Sequence, residues 1–322
     1  MPLLLSEADV ARCLDMESLI PLMRETLARF SRGELVQPVR QALHVSGGGA
    51  YGVMPAAVGG VFGQKSVIFF PSNAALGLPT HLATILLLDG KTGALLAIMD
   101  GRLITEMRTA AVSAVSVELL ARPGASRLAI LGSGVQAKAH LEAVGLVRKL
   151  SSVTVWSRTA PNAERFARAM AGGAACPIAT AASVREAVKD ADIIVTATSA
   201  REPVLEGAWV APGAHLCVVG SSSPKWREVD TATVTMSRVW VDTWDAAQVE
   251  AGDLLIPAAA EEYDLDWVVG ELGEVAGGAP GRTSREEVTL FKSLGMGVED
   301  VASADLVYSR ARERGVGREV DL

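Results

Sequence analysis

The chain has 322 residues, of which 49% are hydrophobic and 21% charged, and this composition is that of a globular protein long enough for two domains. Its net charge of −7 argues against a nucleic-acid partner, because a protein that neutralises phosphates needs a basic surface. A small molecule is therefore the expected partner.

The N-terminal part of the chain is predicted to begin with two helices. Its leucine run lacks the basic flank of a secretory signal. Ser6 followed by Asp9 is the pattern of a helix N-cap, and residues 17–32 have apolar residues at helical spacing that stops at Gly33. Two uncharged stretches follow, 41–64 and 66–88, but glycine, proline and histidine interrupt both, so we expect no membrane span.

Short strand-like runs broken by glycine fill residues 36–99. The last run is a predicted hairpin whose turn is 89–93, and residues 102–122 then return to helical spacing before Pro123-Gly124. The four runs are QPVRQALHV, GGGAYGVM, GQKSVIFF and ATILLLDGKTGALLAIMD.

Strands and helices alternate after residue 123, which is typical of βαβ units on a parallel sheet. This change predicts an α/β protein in two domains, 123–297 as a Rossmann domain and 1–122 as an α+β domain, with 298–322 packing back on the latter. The predicted strands are 126–132, 152–157, 192–197, 214–220 and 238–242, and the predicted helices are 135–150, 161–171 and 298–314. The three cysteines and four histidines show no metal-ligand spacing, so we expect no metal, reduced thiols and a cytoplasmic location.

A glycine-rich motif, GSGVQA, lies between the first Rossmann strand and the helix after it. In such a G-x-G-x-x-A motif Gly132 permits a tight turn, and Gly134 lets the backbone approach a pyrophosphate. Val135 and Gln136 open the helix, whose N-terminal N–H groups attract anions. The motif predicts a dinucleotide site, although a glycine turn without a ligand is the alternative.

The end of the second Rossmann strand selects between the two nicotinamide dinucleotides, since an acid there binds the ribose 2′-hydroxyl of NAD. This chain has no acid at that place but Ser157, Arg158 and Thr159. A guanidinium between two hydroxyls suits a 2′-phosphate, so NADPH is favoured and NADH is a weaker possibility. A solvated arginine is the alternative interpretation.

Several segments together resemble the ornithine cyclodeaminase and mu-crystallin family. They are VQPVR, YGVMPA, GQKSV, LLLDGKTGALLAIMDG, ITEMRTAAVSA, GSGVQA, WSRT, PGAHLCVVGSSSPKWREVD and FKSLGMGVED. The resemblance covers nearly the whole chain. It implies that the N-terminal domain holds the substrate and the dimer contact, that the Rossmann domain holds the cofactor, and that the substrate is an amino or imino acid.

The resemblance also implies roles for individual residues. Arg40, Lys65 and Arg108 match basic residues that hold a substrate carboxylate, and arginine binds a carboxylate bidentately. For each of them a solvated surface charge is the alternative. The remaining implied residues lie along the cofactor; besides Arg108 they are Thr80, His81, Thr198, Val219, Gly220 and Ser293. A hydrogen-bonded core histidine is the alternative for His81, and a glycine-rich turn is the alternative for the segment at Ser293.

Two departures from the cyclodeaminases decide which branch this chain resembles. Gly52 stands where they carry a glutamate, and Ser222 stands where they carry a catalytic aspartate. Serine cannot act as a carboxylate base, so ornithine cyclisation is doubtful. The chain resembles the ketimine reductases at both places.

The predicted function is therefore NADPH-dependent reduction of small cyclic imino acids, giving proline from Δ1-pyrroline-2-carboxylate and pipecolate from Δ1-piperideine-2-carboxylate. A homodimer is expected, without nucleic acid or membrane. Three alternatives remain open: an alanine-dehydrogenase-like enzyme, an ornithine-cyclodeaminase-like enzyme, and a mu-crystallin-like binding protein.

Overall fold

The computed structural model describes residues 1–46, 48–173 and 175–321, apart from the side chain of Ala74. Gly47, the first residue of the predicted run GGGAYGVM, lies outside the described residues. The strands are β1 (Leu3–Leu5), β2 (Gln41–Val45), β3 (Gly49–Val58), β4 (Val61–Phe69), β5 (His81–Asp89), β6 (Leu95–Asp100), β7 (Arg127–Leu131), β8 (Ser152–Trp156), β9 (Ile178–Thr180), β10 (Ile193–Thr196), β11 (His215–Val218), β12 (Ser237–Val241), β13 (Val268–Glu271), β14 (Val288–Lys292) and β15 (Arg318–Glu319). The α-helices are α1 (Glu7–Cys13), α2 (Met16–Ser31), α3 (Arg102–Leu120), α4 (Val135–Val147), α5 (Ala160–Met170), α6 (Val184–Val188), α7 (Thr231–Thr235), α8 (Trp244–Glu250), α9 (Gly252–Ala259), α10 (Leu272–Ala276) and α11 (Gly297–Arg314).

The chain divides into two compact units. The first unit is Met1–Arg108 with Gly295–Leu322, and the second is Thr109–Leu294. The sequence predicted one boundary after residue 122, before Pro123-Gly124, and another after residue 297, where the last predicted helix begins. In the structure the first boundary lies inside α3, which contributes its first residues to one unit and the rest to the other. The predicted roles of the two domains stay a prediction.

The first unit is built on a sheet with the strand order β15-β1-β6-β5-β4-β3-β2. Strands β2 to β6 pair antiparallel with their neighbours, whereas β1 is parallel to β6. Side chains alternate between the two faces. Helix α11 packs on the face that carries Ala56 and Lys65, because a Cβ on Gly297 would lie 3.3 Å from that of Ala56. This helix therefore brings residues near the C-terminus onto the N-terminal sheet.

Local capping and turn chemistry explain where these elements begin and end. The backbone N–H of Ser6 donates to the Asp9 carboxylate at 3.0 Å, and the Asp9 N–H donates to the Ser6 hydroxyl at 3.3 Å, which confirms the predicted N-cap. In the β5–β6 hairpin the Asp89 carboxylate accepts the N–H of Thr92 at 2.8 Å. Gly315 ends α11 with a φ of 62°, a conformation that favours glycine.

The second unit is built on a parallel sheet with the order β13-β12-β14-β11-β10-β7-β8-β9. Strands β10, β11 and β14 are buried at every residue, as expected where helices cover both faces. The strand order reverses between β7 and β10, and ligands bind at the carboxyl ends of strands beside such a reversal. The α/β fold class predicted from the sequence is confirmed.

The sequence did not predict the helices α6 to α10 or the strands β1, β9, β13, β14 and β15. None of these elements is longer than eight residues, so none is long enough to show a clear hydrophobic repeat. Within the described ranges, no helix is both long enough and apolar enough to cross a membrane.

Candidate active site

A cluster of buried charges lies on the α11 side of the first unit's sheet. Lys65 on β4 is only 1% exposed, and its Nζ lies 2.7 Å from Oδ2 of Asp300 on α11, which is fully buried. The other oxygen of Asp300 accepts a hydrogen bond from Nε of Arg108 at 3.0 Å. Asp300 therefore joins two of the cations that the sequence predicted to bind substrate.

The two predicted arginines meet around Gly295. Nη1 of Arg108 donates to Glu299 at 2.7 Å, and Nη2 of Arg40 donates to the carbonyl oxygen of Gly295 at 3.2 Å. A Cβ at Gly295 would lie 2.4 Å from Nη1 of Arg108, and the residue has a φ of +85°, so only glycine fits. The structure thus brings Arg40, Lys65 and Arg108 together in one unit.

The acidic partners of this cluster, Glu299 and Asp300, were not predicted as site residues. Both lie in the first turn of α11, where acids are common because they interact favourably with the helix dipole. Their signal in the sequence, the ED that ends GMGVED, was therefore indistinguishable from ordinary helix capping. Burial separates the two interpretations, since both carboxylates are fully buried.

Burial changes the acidity of the lysine in the cluster. Removal from water disfavours the ammonium and lowers the pKa of Lys65 to about 8, an effect that the Asp300 carboxylate opposes and that Arg108 and Arg40 reinforce. A lysine with this pKa is mostly protonated at neutral pH and releases its proton more readily than an exposed lysine. Lys65 is therefore suited to proton transfer.

Thr80 and His81 are the other predicted site residues of the first unit, and Gly52 is the first of the two departures from the cyclodeaminases. The hydroxyl of Thr80 is 3.2 Å from Nδ1 of His81, whose ring centroid lies 4.6 Å from that of Phe69 with the two rings tilted by 40°. Gly52 pairs with Val67 and lies two residues before Met54, the partner of Lys65, on the same face of the sheet. This face carries no carboxylate at the position where the cyclodeaminases have one.

The glycine-rich loop of the second unit has the conformation that a dinucleotide requires. Gly132 has a φ of +125°, and a Cβ there would lie 2.3 Å from the carbonyl oxygen of Ala197, at the point where the strand order reverses. Gly134 is the N-cap of α4, and a Cβ there would meet no atom within 4 Å. The loop therefore packs closely against the strand end at Gly132 and leaves open space at Gly134, as the close approach of a pyrophosphate requires.

Polar groups surround this loop. The Ser133 hydroxyl donates to that of Ser157 at 3.0 Å, while Oε1 of Gln136 is buried without a hydrogen-bond partner in the described part of the chain. Such an unsatisfied buried oxygen fits a site whose ligand completes it. Val135, Arg158 and Thr159 are exposed, and Thr159 is the N-cap of α5. These residues fit a dinucleotide.

The remaining residues predicted along the cofactor follow the carboxyl ends of neighbouring strands. The N–H of Val219 donates to Thr196 at 3.0 Å, and the N–H of Ser293 donates to Val218 at 3.0 Å. The N–H groups of Thr198 and Gly220 both donate to Glu228, a buried acid that the sequence analysis did not single out. Contact of these residues and of Arg108 with a cofactor stays a prediction.

Two histidines lie in the core of the second unit. Nε2 of His140 is 2.9 Å from the hydroxyl of Ser113, and Nε2 of His215 is 3.0 Å from that of Ser116. Burial lowers the pKa of His140 to about 4 and that of His215 to about 3, so both are neutral at pH 7. Among the residues that the structure describes, no group of three or more His, Cys, Asp or Glu is placed to hold a metal.

Nearly the whole length of the chain matches known proteins. Residues 1–315 match the model of the ornithine cyclodeaminase/mu-crystallin family. The chain is 43% identical to the ketimine reductase mu-crystallin of Mus musculus over 314 residues, which is 95% of this chain and 96% of the relative.

Two solved structures share the fold over their full length. The Δ1-pyrroline-2-carboxylate reductase of Thermococcus litoralis, in complex with NADH and L-proline, has a TM-score of 0.96 at 38% identity and covers 99% of this chain and 100% of its own. An archaeal alanine dehydrogenase dimer with bound NAD has a TM-score of 0.96 at 29% identity, and the match covers 100% of this chain and 99% of the dehydrogenase chain. The reductases among these relatives confirm the prediction of a nicotinamide-dependent oxidoreductase. This chain belongs to the ornithine cyclodeaminase/mu-crystallin family.

Proposed function

We propose that this protein is an NADPH-dependent reductase of small cyclic imino acids, which converts Δ1-pyrroline-2-carboxylate to L-proline and Δ1-piperideine-2-carboxylate to L-pipecolate. The observation that carries the proposal is the buried Lys65, held 2.7 Å from Asp300 beside two arginines. A buried cation with a depressed pKa among anion-binding groups suits the protonation of an anionic imine. The names of the relatives support this substrate class.

The substrate carboxylate is held by Arg40 and Arg108 in this proposal. A guanidinium presents paired N–H donors that match the two oxygens of a carboxylate. Arg108 is held in one orientation by Glu299 and Asp300, so little conformational entropy is lost when an anion binds it. The two acids also balance positive charge that would otherwise be buried without compensation.

The proton reaches the imine nitrogen from Nζ of Lys65. A protonated C=N bond accepts a hydride far more readily than a neutral one, and bound NADPH supplies that hydride to the carbon. Hydride and proton together convert the imine into the secondary amine of the product. The Asp300 carboxylate stabilises the ammonium form before transfer, and solvent restores the proton afterwards.

NADPH rather than NADH is proposed because the end of β8 offers Arg158 and no acid. Arg158 is exposed, as a residue that binds a 2′-phosphate must be before the cofactor arrives. The solved relatives are described with NADH and NAD, so the preference of this chain needs its own measurement. The ratio of kcat/KM for the two cofactors decides it, and a value that favours NADH would overturn this part of the proposal.

A homodimer is proposed through the outer face of the first unit's sheet. A row of side chains crosses four strands on the face opposite Lys65, and its members are Leu43, Tyr51, Ile68 and Leu82. Leu43 is 63% exposed and Leu82 41% exposed, and apolar patches on an open sheet mark interaction surfaces. The alanine dehydrogenase relative is described as a dimer.

The oligomeric state can be tested with one substitution and one control. Leu43→Asp should convert the dimer to a monomer in light scattering after size exclusion. Leu146→Asp, at a leucine of similar exposure on α4 in the other unit, should leave the mass unchanged. A dimer that persists in Leu43→Asp would place the interface elsewhere.

The decisive experiment on function is a substrate panel followed by oxidation of NADPH and of NADH. The panel contains both cyclic imines, pyruvate with ammonia, and L-ornithine with NAD. Fast turnover of the cyclic imines supports the proposal. Faster turnover of pyruvate with ammonia would indicate an alanine dehydrogenase, release of ammonia from ornithine a cyclodeaminase, and cofactor binding without turnover a binding protein.

A further inference from the structure

A second buried cluster of charges lies under the carboxyl ends of the strands in the second unit. Glu228, Asp253 and Lys292 are each at most 1% exposed. Lys292 Nζ lies 2.9 Å from Asp253 and donates to the carbonyl oxygen of Ser221 at 2.6 Å. Asp253 accepts the backbone N–H of Glu228 at 2.7 Å. The proposed chemistry uses none of these three residues, although buried charges are costly to maintain.

The carboxylate of Glu228 joins two strand ends. Oε1 accepts the N–H of Thr198, after β10, at 2.7 Å, and Oε2 accepts the N–H of Gly220, after β11, at 2.6 Å. Each oxygen also accepts a hydroxyl at 2.7 Å, from Thr198 and from Thr196 respectively. All four hydrogen bonds converge on the edge of the sheet at which ligands bind in such folds.

The backbone segments at Thr198 and Gly220 lie so close together that there is no room for a side chain at Gly220. A Cβ at Gly220 would lie 2.2 Å from the carbonyl oxygen of Thr198 and 2.4 Å from Oε1 of Glu228. The carboxylate therefore fixes the separation of two backbone segments whose exposed side is available to a cofactor. Asp253 and Lys292 hold the loop that contains Glu228, because Asp253 accepts the N–H of Val229 and Lys292 donates to the carbonyl oxygen of Ser221.

We infer that Glu228 is a positioning residue for the nicotinamide cofactor, whose carboxylate holds Thr198 and Gly220 in the conformation that binds it. The inference rests on the proposed function for the identity of the cofactor. It assigns the buried cluster to the binding site through the backbone, without contact between Glu228 and the reacting atoms.

The substitution Glu228→Gln tests this geometry sharply. Glutamine offers one acceptor oxygen and one NH₂ group, so in either orientation the NH₂ faces a backbone N–H, of Thr198 or of Gly220. A threonine hydroxyl can turn and accept from the amide, but a backbone N–H cannot. One strand end therefore loses its partner, and a buried donor without a partner displaces its segment or leaves it unsatisfied.

A matched control lies at the opposite end of the same strands. The Asp192 carboxylate, 4% exposed, accepts the backbone N–H groups of Ser126 and Arg127 at 2.9 Å each, and so joins the amino ends of β7 and β10. Asp192→Asn removes a strand-bridging carboxylate, one that also pairs with Arg122 and Arg127, from the edge that does not bind ligands. It therefore reports what loss of such a bridge does to folding alone.

The measurements are the Kd for NADPH from its fluorescence, the urea midpoint, and the KM of the imine at saturating cofactor. We expect Glu228→Gln to raise the Kd about tenfold or more while the imine KM stays within about twofold. Asp192→Asn should lower the urea midpoint but keep the wild-type Kd. Should Glu228→Gln not fold, Glu228→Asp serves instead, because its shorter carboxylate reaches one strand end only.

Wild-type Kd in Glu228→Gln, or an equal rise in both variants, would overturn the inference. The binding measurement does not depend on turnover. If the wild type binds NADPH tightly but reduces no imine, the proposed function fails while the test of Glu228 still stands.

Discussion

Replacement of Asp300 by asparagine probes the proton donor directly. The carboxylate lies 2.7 Å from Lys65 Nζ, and both side chains are buried. Coulomb's law gives about 6 kcal/mol for unit charges 2.7 Å apart at an effective dielectric of about 20. Arg108 shares the carboxylate, but even a quarter of that energy corresponds to about one pH unit in the pKa of Lys65.

The assay is the pH dependence of kcat for imine reduction. If protonated Lys65 is the acid, kcat falls as pH rises through its pKa, which in the free protein is about 8. Asp300→Asn removes the charge that favours the ammonium, so this fall should move at least about one pH unit toward lower pH.

Glu299→Gln is the matched control for this experiment. Glu299 pairs with Arg108 at 2.7 Å, so its loss disturbs the same cluster while the ion pair of Lys65 with Asp300 remains. The pH at which kcat falls in Glu299→Gln should stay close to the wild-type value. If kcat falls at the same pH in the wild type and in Asp300→Asn, Lys65 is not the acid. The substrate's own iminium proton then takes that role.

Three further predictions follow from the same residues. Arg158→Asp should weaken NADPH about tenfold in a binding titration and leave NADH nearly unchanged, whereas equal effects on both would remove Arg158 from the phosphate site. Arg108→Lys keeps the charge but loses paired donors, so steady-state kinetics should show a raised KM with little change in kcat, and the reverse would contradict an anchoring role. The unfolded chain binds protons below pH about 6.5 that the depressed pKa values of His140 and His215 exclude from the folded protein. Urea unfolding should therefore show stability falling as pH drops from about 6 to 4, by about 2.7 kcal/mol per pH unit at most, and equal stability at pH 7 and pH 5 would contradict it.

The place and conformation of the glycine-rich loop were predictable because the signal for this loop is local. A buried strand, GSGVQA and a helix lie in one stretch of sequence, and the conformation of Gly132 follows from that spacing. The cations proposed to bind substrate were singled out only through family resemblance, since arginine or lysine in isolation usually denotes a solvated surface. Their meeting point around Gly295 depends on where α11 packs, which no local pattern specifies.

The sequence did not identify the buried acids as site residues. Asp300 stands 192 positions from Arg108 along the chain, and Glu228 stands 32 from Thr196. In the sequence Asp300 is an ordinary carboxylate in the first turn of a helix, and Glu228 is an ordinary carboxylate in a loop. Only the fold shows that they are removed from water and paired, and burial is what gives them a role.

The position of α11 has a consequence for biosynthesis. Six of the seven strands in the sheet that carries Lys65 are complete in sequence by residue 100, yet the helix that covers this face and supplies Asp300 is made about two hundred residues later. The second unit, by contrast, is one uninterrupted stretch. On the ribosome, therefore, the second unit has all its strands before the first unit can bury its lysine, and a nascent chain that stalls before residue 297 exposes an uncovered sheet face to chaperones and proteases.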